Sequence, residues 1–188
     1  MKQLNQLNID KSWTLFLDRD GVINHQIIDD YVKEVHELKI IDGVPDAISY
    51  FTKLFGRIVI VTNQQGIGKG LMTEDDLHHL HGFINNLIEN YGGKIDKIYF
   101  APQLATSRDP YRKPGIGMGL HAKQDFPDID FEKSIMIGDS EGDIKFGTKL
   151  GMKTVMLKNS RNLMTKANYI FENLQAVAKN LRTEQNEI

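Results

Sequence analysis

Short apolar runs that end in polar residues constrain the fold of this 188-residue chain more than any other feature. The first run, residues 13–17, is followed at once by Asp18 and a polar turn. Runs of this kind, apolar nearly throughout, are typical of strands buried on both faces of a parallel sheet. The other predicted strands are residues 57–61, 95–101, 134–137, 153–157 and 169–171.

Helical patterns lie between the runs. Apolar side chains recur every three or four residues in residues 44–54, and Pro45 suits a first helical turn. Residues 77–91 form a second stripe, and Thr73 with Asp76 ahead of it resembles a capping box. Residues 174–181 predict a closing helix. The alternation predicts one α/β domain over residues 1–188, with a doubly wound, Rossmann-like parallel sheet covered on both faces.

Composition narrows the class of protein and its partners. The net charge of −2 favours neither nucleic acid nor an anionic membrane as a partner. No stretch approaches the roughly 20 apolar residues of a membrane span, and residues 1–11 lack the apolar segment of a signal peptide. The absence of cysteine excludes disulfides and cysteine-based zinc sites. We expect a cytoplasmic monomer that binds neither nucleic acid nor membrane.

Carboxylates and a hydroxyl stand at the ends of the predicted strands. Asp18 and Asp20 follow the first strand, Thr62 the second and Asp139 the fourth. Parallel sheets bind ligands beyond the carboxyl ends of their strands. Three close carboxylates repel unless a cation intervenes, and Mg²⁺ prefers oxygen ligands alongside phosphate oxygens. With Lys113 as a fixed positive charge, the pattern predicts a metal-assisted centre that binds an anion.

These residue types suit phosphoryl transfer. A carboxylate can attack as a nucleophile and carry the phosphoryl group. The transition state spreads negative charge over the phosphoryl oxygens, which Mg²⁺ and Lys113 would oppose. Asp20 would protonate the leaving oxygen and then accept a proton from the attacking water.

Four segments in order resemble motifs of the haloacid dehalogenase superfamily of phosphatases. They are Phe-Leu-Asp-Arg-Asp-Gly-Val at 16–22, Val-Thr-Asn at 61–63, Arg-Lys-Pro at 112–114 and Gly-Asp-Ser-Glu-Gly-Asp at 138–143. With Asp-Tyr-Val at 30–32, Ile-Asp-Gly-Val at 41–44 and Thr-Asn-Gln-Gln-Gly-Ile at 62–67, the chain is similar to the D-glycero-D-manno-heptose 1,7-bisphosphate phosphatases. The histidinol-phosphate phosphatases are close relatives of that group.

The resemblance implies a core without a large cap domain, in which short loops set specificity. It implies that Asp18 is the nucleophile and Asp20 the acid/base. Asp18, the backbone carbonyl of Asp20, and Asp139 would hold Mg²⁺. The function implied is a magnesium-dependent hydrolase of a small phosphorylated metabolite, heptose 1,7-bisphosphate, that acts through an aspartyl-phosphate.

Phosphate contacts are implied in the same way. Thr62, Asn63 and Lys113 would hold the phosphoryl group, and Arg112 would meet the rest of the substrate. Members of the group commonly carry a zinc loop of three cysteines and a histidine, but residues 101–111 contain neither residue type, so no zinc is expected. A basic residue often follows the metal aspartate, and Ser140 stands there instead.

Other functions are compatible with the same motifs. Histidinol phosphate is the nearest alternative substrate, and a 3′-phosphatase on nucleic acid ends is a third, disfavoured by the net charge. A phosphomutase would transfer the group to a second acceptor. A retired enzyme that only binds a phosphorylated ligand is the alternative from another class, and the intact nucleophile, acid/base, lysine and metal positions argue against it.

Several polar residues have a structural interpretation as good as a functional one. Asp143 could cap the helix that follows it or take part in the site. His78, His79 and His81 are interpreted as a solvated helix face rather than a metal site. Residues 65–70 lack the spacing of a phosphate-binding glycine loop and are interpreted as a flexible turn. The remaining candidates are His25, Asp29 and Tyr31, as substrate contacts or as surface residues without a role, and residues 102–116, as one long functional loop.

Overall fold

Six parallel strands form the sheet at the centre of the structure, a computed structural model that describes residues 4–28, 30–159 and 166–182. The strands are β1 Thr14–Leu17, β2 Arg57–Asn63, β3 Lys97–Ala101, β4 Ser134–Gly138, β5 Lys153–Leu157 and β6 Tyr169–Phe171. Their order across the sheet is β3-β2-β1-β4-β5-β6, and every neighbouring pair is parallel. The predicted α/β class and parallel sheet are confirmed.

Helices connect the strands. They are α1 Val44–Leu54, α2 Gln65–Gly68, α3 Glu74–Asn90, α4 Gly117–Asp125, α5 Glu141–Leu150 and α6 Leu174–Leu181. Four short 3-10 turns lie at Leu4–Gln6, Val35–Glu37, Ala105–Ser107 and Phe131–Lys133. The predicted capping box is confirmed, because Thr73 and Asp76 bond reciprocally at the start of α3. Across the described ranges, no helix combines the length and the apolar character that a bilayer crossing requires.

Two apolar cores cover the two faces of the sheet. Successive side chains of a strand point to opposite faces, so neighbours in β1 enter different cores. Leu15 and Leu17 pack in the larger core with residues of α1, α3 and α6. Phe16 packs in the smaller core with Met118 of α4 and Phe146 of α5. The doubly wound arrangement therefore follows from strands that are apolar on both faces.

β1 lies at the point where the winding of the sheet reverses. The chain passes from β1 outward through β2 and β3, then returns to the other side of β1 as β4. Leu17, the last residue of β1, is in register with Ile60 of β2 and Ile137 of β4. A crevice opens at such a switch point, beyond the carboxyl ends of the strands.

The structure departs from the predicted elements in three places. α4 was not predicted, because Gly117 and Gly119 weaken its helical pattern. Gly119 packs closely against α5, since a Cβ there would lie 2.5 Å from Leu150 Cδ1 and 3.1 Å from Phe146 Cζ. The flexible turn expected at residues 65–70 contains the one-turn helix α2, and the long loop contains the turn Ala105–Ser107. Strand ends shift by one or two residues, the usual accuracy of such boundaries.

Candidate active site

Three adjacent strands bring predicted site residues to one edge of the sheet. Asp18 follows β1 directly, and its backbone N–H donates to Ile137 O at 3.0 Å, which continues the β1–β4 ladder. Thr62 and Asn63 are the last two residues of β2, and Asp139 follows β4. The side chains predicted from strand ends therefore converge at the crevice beside β1.

The Asn63 side chain fixes the position of Lys113, which arrives from a loop 50 residues later in the sequence. Asn63 Nδ2 donates to the backbone oxygen of Lys113, and the backbone N–H of Lys113 donates to Asn63 Oδ1, both at 3.0 Å. The two bonds resemble the paired N–H···O bonds between neighbouring strands, with the Asn63 side-chain amide in place of one backbone. Asn63 was predicted to hold the phosphoryl group, and the structure shows that both polar atoms of its side chain bond to the Lys113 backbone.

The Lys113 ammonium is buried among three oxygen atoms. Its Nζ lies 2.6 Å from Val61 O, 2.9 Å from Asp18 Oδ1 and 2.6 Å from Asp143 Oδ1. Burial opposes the charged form, but the Asp143 and Asp18 carboxylates outweigh it and raise the pKa of Lys113. The lysine is therefore a permanent positive charge beside Asp18.

Asp143 is fully buried and serves both of the roles that the sequence left open. Its Oδ2 accepts hydrogen bonds from the Ser140 backbone N–H at 3.0 Å and from Ser140 Oγ at 2.6 Å, which completes a capping box at the start of α5. Its Oδ1 contacts the Lys113 ammonium. Asp143 thus ties the first turn of α5 to the cation of the site.

Asp18, Asp139 and Asp143 form an acidic cluster whose candidate ligand atoms all lie within 4.8 Å of one another. Burial and the charge of Asp143 raise the pKa of Asp18, and the same two causes raise the pKa of Asp139 to about 6. Gly21, with φ of +84°, permits the close approach, since a Cβ there would lie 2.2 Å from Asp139 Oδ2. Asn159 Nδ2 donates to both the backbone oxygen and Oδ2 of Asp139. Buried carboxylates that repel each other are the donor set that a hard divalent cation stabilises.

The Asp20 carboxylate lies in a separate cradle of hydrogen-bond donors. Arg19 Nη2 lies 2.9 Å from each Asp20 oxygen, and Asn24 Nδ2 donates at 2.9 Å. Gln64 Nε2 donates to Asp20 Oδ2 at 2.8 Å and to Thr62 Oγ1 at 2.9 Å. Burial opposes ionisation of Asp20, but the Arg19 charge and these hydrogen bonds lower its pKa. The carboxylate is therefore ionised and held in one orientation.

A cavity of about 160 Å³ opens above these groups. Arg112 lines it, and its Nη1 also donates to Gln103 O at 3.2 Å. Tyr31 lines the same cavity, whereas His25 lines a neighbouring one of about 240 Å³. Asp29 lies outside the described residues. The other lining residues are Asp18, Asp20, Gln26, Ile27, Asp30, Val32, Thr62, Asn63, Gln65, Asp139 and Ser140.

Sequence reasoning missed four residues that hold the predicted ones. Arg19 and Asn24 belong to the first polar turn, and Gln64 comes directly after β2. Asn159 lies two residues beyond the end of β5. Arg19, Gln64 and Asn159 lie within two residues of a strand end, which was the signal available, whereas Asn24 lies seven residues beyond β1. Only the folded structure shows which carboxylate each one contacts.

The three histidines of α3 differ in environment. His78 and His79 are exposed, as the interpretation of a solvated helix face requires. For His81 that interpretation is wrong: its side chain is buried, and its Nε2 lies 3.4 Å from Arg19 Nη1. The apolar residues Leu77, Leu80 and Ile84 face the core, and His81 lies on the edge of that stripe.

Curated relatives match most of the chain. The D-glycero-alpha-D-manno-heptose-1,7-bisphosphate 7-phosphatase of Burkholderia mallei is 35% identical over 173 residues, which cover 87% of this chain and 90% of the relative. That of Campylobacter jejuni is 38% identical over 149 residues, 79% of this chain and 84% of the relative. The D-glycero-beta-D-manno-heptose-1,7-bisphosphate 7-phosphatase of Pseudomonas putida is 32% identical over 173 residues, 89% of this chain and 98% of the relative.

A solved structure shares the fold over nearly the whole chain. The D,D-heptose 1,7-bisphosphate phosphatase from B. bronchiseptica, crystallised with magnesium and phosphate, has a TM-score of 0.82 and 26% identity. The match covers 90% of this chain and 97% of that one. The sequence model of the polynucleotide kinase 3 phosphatase family matches residues 14–171, which include every predicted site residue. The chain therefore belongs to that family, and it is a phosphatase of the haloacid dehalogenase superfamily that closely resembles the D-glycero-D-manno-heptose-1,7-bisphosphate 7-phosphatases.

Proposed function

We propose that this phosphatase hydrolyses a phosphate monoester in two steps through an aspartyl-phosphate on Asp18. The observation that carries the proposal is the 2.9 Å contact between Asp18 Oδ1 and the buried Lys113 ammonium, at the edge of an acidic cluster. A carboxylate in that position can attack phosphorus while a fixed cation opposes the negative charge of the transition state.

In the first step an Asp18 oxygen forms a bond to phosphorus as the bond from phosphorus to the leaving oxygen breaks. Asp20 gives its proton to that leaving oxygen, so the product departs as an alcohol. In the second step water attacks the phosphorus of the aspartyl-phosphate and Asp20 accepts a proton from it. Inorganic phosphate leaves and Asp18 is restored.

The ionisation of Asp20 suits the second step in particular. Its donors keep the carboxylate charged, ready to accept a proton from water. The first step needs the protonated form, and a phosphate dianion arriving beside Asp20 raises the pKa of that carboxyl by charge repulsion. The proton used in the first step is therefore taken up from solvent as the substrate binds.

The acidic cluster supports a magnesium requirement. Asp18, the backbone carbonyl of Asp20, and Asp139 would hold Mg²⁺, which when bound supplies positive charge to the phosphoryl oxygens. Thr62 Oγ1 accepts a bond from Gln64, which leaves the Thr62 hydroxyl hydrogen for a phosphoryl oxygen. The Lys113 ammonium contacts Asp18 and Asp143 of the cluster and would oppose the negative charge on the same phosphoryl oxygens.

For the substrate we propose D-glycero-D-manno-heptose 1,7-bisphosphate, cleaved at position 7. Three relatives of both anomeric types support it, at 32–38% identity and with most of each chain covered. The cavity is lined largely by polar side chains, among them Gln26, Gln65 and Arg112, which suit a hydroxylated substrate. Arg112 would contact the part of the sugar that does not react.

A second candidate function comes from the family model, whose description names a polynucleotide 3′-phosphatase. The chain has a net charge of −2, and nucleic acid binding depends on neutralising backbone phosphates with basic residues. We therefore rank a 3′-phosphorylated oligonucleotide below the sugar bisphosphate. Histidinol phosphate remains a competitor that the same assay tests.

The deciding experiment compares kcat/KM across five substrates with Mg²⁺ present: both anomers of heptose 1,7-bisphosphate, histidinol phosphate, a hexose phosphate and a 3′-phosphorylated oligonucleotide. We expect one heptose anomer to exceed the three other compounds by about a hundredfold or more. The Asp18→Asn variant measures any phosphatase activity that does not depend on Asp18. Removal of divalent cations with a chelator, followed by re-addition of Mg²⁺, tests the magnesium requirement. A comparable preference for histidinol phosphate or the oligonucleotide would overturn the substrate, and full activity in Asp18→Asn would overturn the mechanism.

A further inference from the structure

His81 is a buried ionisable side chain to which neither the proposed chemistry nor the metal cluster assigns a role. It projects from α3, 62 residues after Arg19, and is 6% exposed. Its ring packs against Phe100 of β3, with centroids 6.3 Å apart and planes at 61°. Its Nε2 lies 3.4 Å from Nη1 of Arg19, which is 0% exposed.

The contact with Arg19 determines the form of the His81 ring. A guanidinium has donors and no acceptor, so Nε2 can only accept from Nη1. The ring is therefore neutral and carries its hydrogen on Nδ1. Burial and the Arg19 charge lower the pKa of His81 to about 3, which keeps the ring neutral near pH 7.

Arg19 joins His81 to Asp20. Its Nη2 lies 2.9 Å from both Asp20 oxygens and its Nε 3.3 Å from Oδ1, while Nη1 faces His81. Because the guanidinium is planar and rigid, a bond that fixes Nη1 also fixes the direction of Nη2 and Nε. His81 thus sets the orientation of the two guanidinium nitrogens, Nη2 and Nε, that contact the Asp20 carboxylate.

We propose that His81 is a positioning residue for the acid/base step, acting on Asp20 through Arg19. The inference rests on the role proposed above for Asp20. Arg19 Nη2 contacts both Asp20 oxygens, and the His81 acceptor keeps Arg19 from turning toward another oxygen. Small displacements of a catalytic group reduce rates steeply, so the role of His81 concerns turnover more than substrate binding.

Two substitutions separate this role from simple packing. His81→Leu keeps an apolar side chain against Phe100 but removes the acceptor for Arg19. His81→Gln can offer its amide oxygen to Nη1, so it retains the acceptor. Ile84→Val, a buried position on the same helix, supplies a packing change that does not touch Arg19.

We expect His81→Leu to lower kcat about tenfold with KM within twofold of wild type, measured well below each variant's Tm. His81→Gln should recover kcat to within about threefold of wild type, and Ile84→Val should leave kcat unchanged. The ring nitrogen shifts of ¹⁵N-labelled histidine give a readout that needs no substrate. They should show His81 neutral with its hydrogen on Nδ1.

The outcomes distinguish this inference from the proposed function. Wild-type activity that survives Asp18→Asn overturns the proposed function. With wild type active and Asp18→Asn inactive, three results each overturn the His81 role alone. They are an unchanged kcat in His81→Leu, an equal loss of kcat in Ile84→Val, and ring nitrogen shifts that place the hydrogen on Nε2.

Discussion

Asp18 and Asp20 are two residues apart, yet their carboxyl groups lie in opposite environments. Asp18 faces the acidic cluster, where burial and the Asp143 charge raise its pKa. Asp20 is also largely buried, but Arg19 and two amide side chains lower its pKa. Burial alone therefore does not decide the charge of a carboxyl group in this site.

The partners of each carboxylate explain the difference. Around Asp18, the single ammonium of Lys113 lies beside a cluster of three carboxylates and contacts two of them. This part of the site therefore carries an excess of negative charge. The Asp20 side places a bidentate guanidinium and two amides on one carboxylate. The first arrangement favours binding of a cation, and the second keeps the Asp20 carboxylate in the charged form that a general base requires.

The largest expected effect comes from exchanging each carboxylate for an amide. Asp18→Asn should lower kcat on the order of 10⁴-fold or more with any phosphate ester, because no nucleophile remains. Asp20→Asn should lower kcat by about 10² to 10⁴-fold with a sugar phosphate. Steady-state kinetics on a sugar phosphate and on p-nitrophenyl phosphate measure both.

The choice of leaving group sharpens this comparison. Nitrophenolate can leave without accepting a proton. With p-nitrophenyl phosphate, Asp20→Asn should therefore carry out the first step normally but the second step slowly. The expected result is a burst of nitrophenol followed by slow turnover. Asp18→Asn should show no burst. A burst in Asp18→Asn, or an equal loss in Asp20→Asn with both esters and no burst, would contradict the assigned roles.

Removing Lys113 should cost about 3–5 kcal/mol of unfolding free energy, because Asp18 and Asp143 are then buried without their cation. Lys113→Met tests this in urea unfolding of the metal-free protein. Adding Asp143→Asn to that variant should recover part of the loss, since one of the unpaired charges is removed. Lys145→Met, an exposed position on α5, is the matched control and should change stability by less than about 0.5 kcal/mol.

His81, which contacts Arg19 beside Asp20, should make the free energy of unfolding depend on pH. The folded pKa is lowered from 6.5 to about 3, so the unfolded chain binds the extra proton as the pH falls below 6.5. The contribution of His81 to the free energy of unfolding therefore has its full value above pH 6.5. It decreases by about 1.4 kcal/mol for each pH unit below 6.5. Arg19, His78 and Asp20 are the charged or titratable groups whose charges act on the ring.

The difference in unfolding free energy between wild type and His81→Gln, followed from pH 7 to pH 4, isolates this contribution. Carboxyl groups of the acidic cluster with raised pKa values act with the opposite sign, but they are common to both proteins. A difference that stays constant over this pH range would show that His81 titrates normally in the folded state.

The smallest effect is expected at the capping box of α3, whose side-chain hydrogen bonds join Thr73 and Asp76 to each other. Thr73 Oγ1 accepts from the Asp76 backbone N–H at 3.1 Å, and Thr73→Ala removes that bond. The cost should be about 1 kcal/mol, with kcat unchanged. If this variant also lowered kcat, destabilisation of α3 alone would explain losses seen on the Asp20 side.

Much of the fold could be predicted because its elements are local patterns. The strand that ends at Leu17 and the helix Val44–Leu54 are defined by runs and spacings that any window of the chain reveals. α4 could not be found in this way, because Gly119 packs against α5 and Gly117 against Tyr111 and Pro110, contacts that the sequence does not display.

The residues of the site likewise fall into those that could be predicted from the sequence and those that could not. Asp18, Thr62 and Asp139 could be predicted, because parallel strands in register bring their ends together. The hydrogen-bond partners of Asp20 could not, because Gln64 and Arg19's partner His81 come from other segments, and a place after a strand or on a helix does not show which group a side chain contacts. The burial of His81 depends on where α3 packs, which no short spacing determines.

The paired bonds between Asn63 and the backbone of Lys113 have a practical consequence for protein engineering. They tether the end of a surface loop to the edge of the sheet, and Asp109 O and Pro110 O accept from the N–H groups of Arg112 and Gly117 on either side of Lys113. Residues 104–108 lie outside these bonds and outside the Gln103 contact of Arg112, so we expect a change of loop length there to leave the ammonium in place.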